Sequence, residues 1–157
     1  MNHRFILKHK VAKEHLDDLN HVNNVQYLYW AQEIAKAHWQ KIKPLISKPS
    51  AVWMVRNHEV TYKLGAFLGD TLRVETHVKE VRGPLSTRVV EFFDDNSNQL
   101  LVRCKTQWCF IDPVIRKPLR IHATIKDCFL NSQSPFENLS EIHLVRFLLP
   151  FMEIQPF

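Results

Sequence analysis

From Val25 to Ile42 apolar side chains recur every three or four positions, at Val25, Leu28, Ala31, Ile34, Ala35, His38, Trp39 and Ile42. Gln26, Glu33, Lys36, Gln40 and Lys43 fall on the opposite side, which is the signature of an amphipathic helix. Asn23 offers a side-chain cap just ahead of the run and Pro44 stops it. The spacing therefore predicts a helix over residues 24–43, roughly 30 Å long at about 1.5 Å per residue, enough to lie across a small sheet.

The rest of the chain alternates with period two. Phe5, Leu7 and His9 against Arg4, Ile6, Lys8 and Lys10 predict a first strand within residues 4–13. Over residues 51–63, Val52, Met54, His58, Val60 and Tyr62 share one side, and Trp53, Val55, Asn57, Glu59 and Thr61 the other. After a Gly69-Asp70 turn, Leu72, Val74 and Val78 alternate with Arg73, Glu75, His77 and Lys79. Gly83-Pro84 turns the chain into a fourth strand, residues 86–93, and Asp94 to Asn98 turns it into a fifth, residues 99–111. In the fifth, Val102, Cys104, Thr106, Trp108 and Phe110 share a face, and Asp112-Pro113 ends it. A short helix is expected over residues 121–130. One early helix followed by antiparallel strands is an α+β arrangement with the helix packed on one sheet face.

Composition narrows the class. At 157 residues, 45% hydrophobic and 24% charged, the chain reads as one globular domain with a sizeable core. Neither a signal-like apolar run within residues 1–20 nor a stretch long enough to cross a bilayer is evident, so a cytoplasmic location is the expectation, without stable membrane insertion. Cys104, Cys109 and Cys128 form no CxxC pair and read as small buried hydrophobes in a reducing compartment. The nine histidines fall into no HExxH or paired ligand spacing, so neither a metal nor another cofactor is expected. His3, His9 and His15 simply line one side of a sheet edge. A net charge of +5 suggests an anionic partner. Because the cations are scattered singly, a phosphorylated small molecule fits better than nucleic acid.

The chemistry concentrates just ahead of the helix, in His15-Leu16-Asp17-Asp18-Leu19-Asn20-His21-Val22-Asn23-Asn24. A helix start carries backbone N–H groups without intrahelical partners, and a carboxylate beside them can serve as base or nucleophile next to a polarised carbonyl. Asp18 is the rival carboxylate, with a structural role at the helix dipole. His21 can orient the acid, bond a substrate, or be a satisfied residue of the turn.

The string HLDxxxHVNNxxYL at residues 15–28 resembles the hotdog-fold thioesterases, in the branch of 4-hydroxybenzoyl-CoA and long-chain acyl-CoA thioesterases. Tyr62 with Leu68-Gly69-Asp70-Thr71-Leu72, the Leu85-Ser86 pair, and Thr106 to Pro113 with Lys117-Pro118 are similar to further stretches of that family. The resemblance implies a curved antiparallel sheet wrapped around one long central helix, in a thioesterase domain of residues 1–131. It implies hydrolysis of a fatty or aromatic acyl-CoA in lipid metabolism by a homodimer or homotetramer. Asp17 matches the family's carboxylate, the Asn24 backbone N–H would polarise the thioester carbonyl, and His21 stands as a third catalytic candidate. On the substrate side the match brings in Asn23, whose first task is to cap the helix, together with Tyr27 and Ser86. Asn20 stands where the family often has Gly, a position asparagine tolerates best among other residues.

Two further readings share the fold: a non-catalytic module that binds acyl-CoA or fatty acid, and a thioesterase for acyl-carrier protein. Leu19 occupies the place of the asparagine that plant acyl-carrier thioesterases carry, so their catalytic residue is missing. Residues 132–157 lie beyond the resemblance. There Leu139, Ile142, Leu144, Val145, Phe147, Leu148 and Leu149 predict an apolar helical tail that docks on the protein.

Overall fold

A computed structural model describes residues 3–46 and 51–131 of the 157; the apolar tail expected at 132–157 lies outside the described residues. In chain order the elements are β1 (Phe5–Lys10), a 3-10 turn (Lys13–His15), α1 (Asn24–Ile42), a second 3-10 turn (Lys43–Leu45), β2 (Val52–Tyr62), β3 (Thr71–Arg82), β4 (Leu85–Asp94), β5 (Leu100–Ile111) and α2 (Ala123–Leu130). The strands form a five-stranded sheet in the order β1-β3-β4-β5-β2, and every neighbouring pair is antiparallel.

Consecutive strands β1 and β2 stand on opposite edges, so α1 must carry the chain across the whole sheet. Its 19 residues reach about 28 Å at 1.5 Å per residue, against about 19 Å for five strands spaced 4.8 Å apart. Asn23 caps the helix as its sequence position predicts, its Oδ1 accepting the Val25 N–H at 3.0 Å. Two local turns close the meander. Gly83, at φ +59°, opens a two-residue loop between the paired Arg82 and Leu85. Asp94 gathers the next turn by accepting the Ser97 hydroxyl at 2.6 Å and the N–H groups of Asn96 and Ser97 at 3.3 Å.

The core lies between α1 and the sheet in two parts. Tyr27, Trp30, Ala31 and Ile34 pack with Leu72, Val74, Val90, Phe92, Val102 and Cys104; Ile42 packs with Val78, Phe110, Ile121, Ile125 and Phe129, the last two from α2. The buried stripe of α1 is rotated from the predicted one. Val25 is 52% exposed, while Tyr27 and Trp30 turn inward, because their rings remove far more apolar area from water than a valine does. A second correction concerns β2. Trp53, expected on the opposite side from His58 and Val60, joins them in packing toward α1, since a bulge at Arg56 between Val55 and Asn57 resets the alternation.

Between the two apolar parts sits a polar one. Arg88 on β4, 4% exposed, donates through Nη1 to His38 Nδ1 and to the Thr76 hydroxyl, both at 3.0 Å, and lies over the Phe129 ring at 5.4 Å. His38 Nε2 in turn meets His3 Nδ1 at 3.0 Å. The three histidines near the start of the chain thus all turn toward α1: His3 to His38, and His9 and His15 to the ring of Trp30. The cysteines are free, with Cys104 and Cys109 buried and Cys128 half-buried, as small apolar groups should be.

The outer sheet face is a lattice of ion pairs. Arg4 and Arg73 reach Glu75 at 2.7 and 2.8 Å, Arg103 reaches Glu91 at 2.6 Å, and Lys105 reaches Glu59 at 3.0 Å. Such solvated pairs add little stability individually, but they neutralise cations that the net charge alone would leave for a ligand.

Candidate active site

The segment between β1 and α1 is folded on itself before it reaches the helix. Leu16 and Val22 pair across an isolated antiparallel bridge, the Asp17 N–H donates to the His21 carbonyl at 2.8 Å, and the Asn20 N–H donates to the Asp17 carbonyl at 3.0 Å. Asn20 sits at φ +60°, the left-handed conformation that asparagine adopts more readily than other side-chain-bearing residues. Two outside bonds fix the loop: the Val22 N–H to the Ala66 carbonyl and the Asn23 N–H to the His15 carbonyl, each 2.9 Å.

Asp17 divides its carboxylate between two situations. Oδ1 accepts the N–H groups of Leu19 at 2.9 Å and His21 at 3.2 Å, which holds the side chain in one place. Oδ2 has no hydrogen-bond partner among the described residues. Asp18 is exposed and makes no hydrogen bond or ion pair among them, so the hydrogen bonds of the turn go to Asp17, while the helix-dipole role expected of Asp18 requires none. His21 is exposed, with its imidazole edge-on to Phe67 at a centroid distance of 5.1 Å.

At the helix start the N–H groups are unequally served. Asn23 satisfies Val25 with its side chain and Gln26 with its carbonyl at 2.9 Å, whereas the Asn24 N–H has no acceptor among the described residues. A carboxylate oxygen and a backbone donor thus stand without protein partners at the two ends of one short loop. This pairing suits attack on a carbonyl whose oxygen gathers charge.

The other expected site residues lie differently. Tyr27 is 2% exposed, its ring edge-on to Trp30, Phe92 and Tyr62 at 5.8, 5.1 and 5.9 Å, and burial pushes its hydroxyl up to about 12. Its oxygen is buried without a partner among the described residues. Within one chain it is part of the core. Ser86 is also buried, and it pairs with Val81 and Trp108 toward the β3–β4 turn, whereas Phe92 near the helix start stands six positions along β4. At about 3.3 Å per residue that is about 20 Å, so a single chain does not bring Ser86 to Asp17.

One surface concavity is lined by Gly69 to Thr71 and Asp94 to Asn96, another by outer-face residues from Glu59 to Lys105. Neither takes in Asp17, His21 or Asn24. No three histidine, cysteine or acidic side chains among the described residues group as metal ligands, and no helix among them is long and apolar enough to cross a membrane. One contact at the site carries no signal in the residue pattern: the Tyr62 hydroxyl donates to the Asn24 carbonyl at 3.0 Å, joining residues that are far apart in sequence.

A five-stranded antiparallel sheet with one long helix across it, preceded by a carboxylate-bearing turn, is the hotdog fold of thioesterase-like proteins. The chain belongs to the thioesterase-like superfamily, whose sequence profile matches residues 11–129. No curated protein matches it by sequence. Among solved structures it is similar to Slr0204, a 1,4-dihydroxy-2-naphthoyl-CoA thioesterase from Synechocystis, with a TM-score of 0.73 and 18% identity over 85% of this chain and 100% of that one. YbaW, a probable thioesterase from Escherichia coli, gives 0.68 and 20% over 78% and 93%. The Staphylococcus aureus protein SAV2348, solved in complex with CoA, gives 0.68 and 13% over 80% and 81%. At such identities the likeness is one of fold.

Proposed function

We propose that the protein hydrolyses an acyl-CoA thioester with a fatty or aromatic acyl group. The observation that carries this reading is the division of labour at Asp17: one oxygen is anchored by two N–H groups and the other is free of protein partners, ahead of an Asn24 N–H that lacks an acceptor. The thioester carbonyl oxygen accepts the Asn24 N–H, which stabilises the negative charge that develops there. Asp17 either removes a proton from the attacking water or attacks the carbonyl carbon itself, giving an anhydride that water then opens. In both routes the carbon–sulfur bond breaks: in the first the proton that Asp17 took from water passes to the departing sulfur, and in the second CoA leaves as a thiolate that takes its proton from water as the anhydride is opened. His21, exposed beside the loop, serves the substrate or the water; Asn23 holds the helix start in place.

Binding of CoA by SAV2348 and the thioesterase names of its structural neighbours support the choice of substrate. The site is completed by a second copy of the chain. Two observations support this: Asp17 lies outside the two concavities described above, and Ser86 stands six positions along β4 from Phe92 near the helix start, out of reach of Asp17 in its own chain. The test is thiol release from a panel of CoA esters varied in chain length and aromaticity. Turnover abolished by Asp17→Asn establishes the reading; tight binding without turnover establishes an acyl-CoA-binding module instead; turnover only with carrier-protein thioesters moves the substrate class.

A further inference from the structure

The first turn of α1 is gripped from outside the helix. Tyr62, the last residue of β2, donates its hydroxyl to the carbonyl of Asn24 at 3.0 Å. Its own position is well determined. Tyr62 pairs with Val102 in the β2–β5 ladder, and the next two N–H groups, of Lys63 and Leu64, both donate to the Leu101 carbonyl at 2.8 and 3.1 Å. Its ring stands edge-on to Tyr27 at 5.9 Å, and Tyr27 is in turn packed against Phe92. Partial burial, with Cys104 adding to it, raises the hydroxyl's pKa, so the group remains a donor at neutral pH.

Without this bond the first peptide of α1 would be held only through Asn23 and the helix itself, and helix ends fray. The cap fixes Asn24 along the chain: Asn23 is bonded back to His15 and forward to Val25. The Tyr62 bond fixes it across the chain, against the sheet. The donor assigned to the thioester is the N–H of the same residue, one peptide unit ahead of the carbonyl that Tyr62 holds.

We propose that Tyr62 is a positioning residue for thioester hydrolysis: by clamping the Asn24 carbonyl to the end of β2 it sets where the Asn24 N–H points. This rests on the reading of Asn24 as the carbonyl-polarising donor. Misplacement of a reacting group by about 1 Å can cost about 100-fold in rate, so a clamp on the donor matters to kcat more than to substrate affinity.

Tyr62→Phe removes the hydroxyl and keeps the ring. In steady-state thiol release it should lower kcat by roughly 10- to 100-fold while KM stays within roughly threefold. In amide exchange followed by NMR, Val25 and Gln26 should exchange about fivefold faster, the loss expected for one hydrogen bond, with Ile34 to Ile42 unchanged. Tyr29→Phe, on the exposed side of the helix, should change neither. An unaltered kcat with unaltered exchange at the helix start overturns the proposal. So does a general loss of protection and melting temperature without a split between kcat and KM, which marks a merely structural tyrosine. A parent protein that releases thiol from no CoA ester overturns the hydrolase reading, and exchange then decides alone whether Tyr62 holds the turn.

Discussion

Asp17 anchors one carboxylate oxygen in the turn and leaves the other without a partner among the described residues, and a substitution can separate the anchor from the charge. Asparagine at this position keeps an Oδ1 that accepts from Leu19 and His21 but removes the charge, so Asp17→Asn should fold normally and lose about 10²–10⁴-fold in kcat. Asp18→Asn should lose little, since Asp18 is exposed and bonds to nothing among the described residues. Equal losses in the two variants would refute the assignment. Asn20 makes a different claim. At φ +60° a β-branched side chain is strained, so Asn20→Val should destabilise the fold by about 1–2 kcal/mol in urea unfolding, and Asn20→Gly should not.

At the scale of elements, α1 is attached to the sheet by apolar contacts at both ends and by a polar cluster in the middle. Burial above all, and then the Arg88 charge and His3, lower the pKa of His38 to about 2, so it is a neutral acceptor for the buried guanidinium; Arg88 itself falls to about 9 by burial and stays charged. The two partners are unequal in what they leave behind. His38→Leu strips a buried cation of an acceptor and should cost about 3 kcal/mol, the upper end for a buried group left unsatisfied, because this group is charged. Arg88→Met leaves a neutral imidazole nitrogen unpaired and should cost about 1–3 kcal/mol. Chemical denaturation of both variants at pH 8 measures the order, and a greater loss in Arg88→Met would show that the packing of its stem dominates.

For the whole molecule, the same histidine sets a dependence on pH. Unfolded, an imidazole takes up a proton below about pH 6.5, whereas the folded His38 stays neutral down to about pH 2. The unfolded state therefore binds more protons across that window. Stability should fall by up to about 1.4 kcal/mol for each pH unit below 6.5, and His9, His58 and His77, also lowered chiefly by burial, act in the same direction. Melting temperatures between pH 8 and pH 5 check this, and His38→Gln should flatten the slope. Assembly is the other property at this scale. Among the described residues the 11-residue strand β2 stands at an edge of the sheet, where its outward backbone groups can pair with a second copy, so light scattering should find at least twice the 18.6 kDa of one chain. Activity retained by a monomer would refute it.

Much of this architecture is legible in the residues because it is set locally. The strand alternation of β3, the cap at Asn23, the turns at Gly83 and Asp94, and the left-handed Asn20 each follow from a few neighbouring side chains. The turn around Asp17 was legible too, since the carboxylate and the helix start are adjacent in sequence. The tertiary structure decided whatever depends on distant partners. A bulge at Arg56 turned Trp53 inward, because only pairing with β5 reveals an extra residue. Tyr27 and Trp30, not Val25, won the core because burial is settled by what the sheet presents to the helix. His38 became an acceptor for Arg88, and Tyr62 a clamp on Asn24, through contacts spanning 50 and 38 residues. Periodicity reports which face of an element is apolar; the partner that a polar group finds is set only when the elements pack.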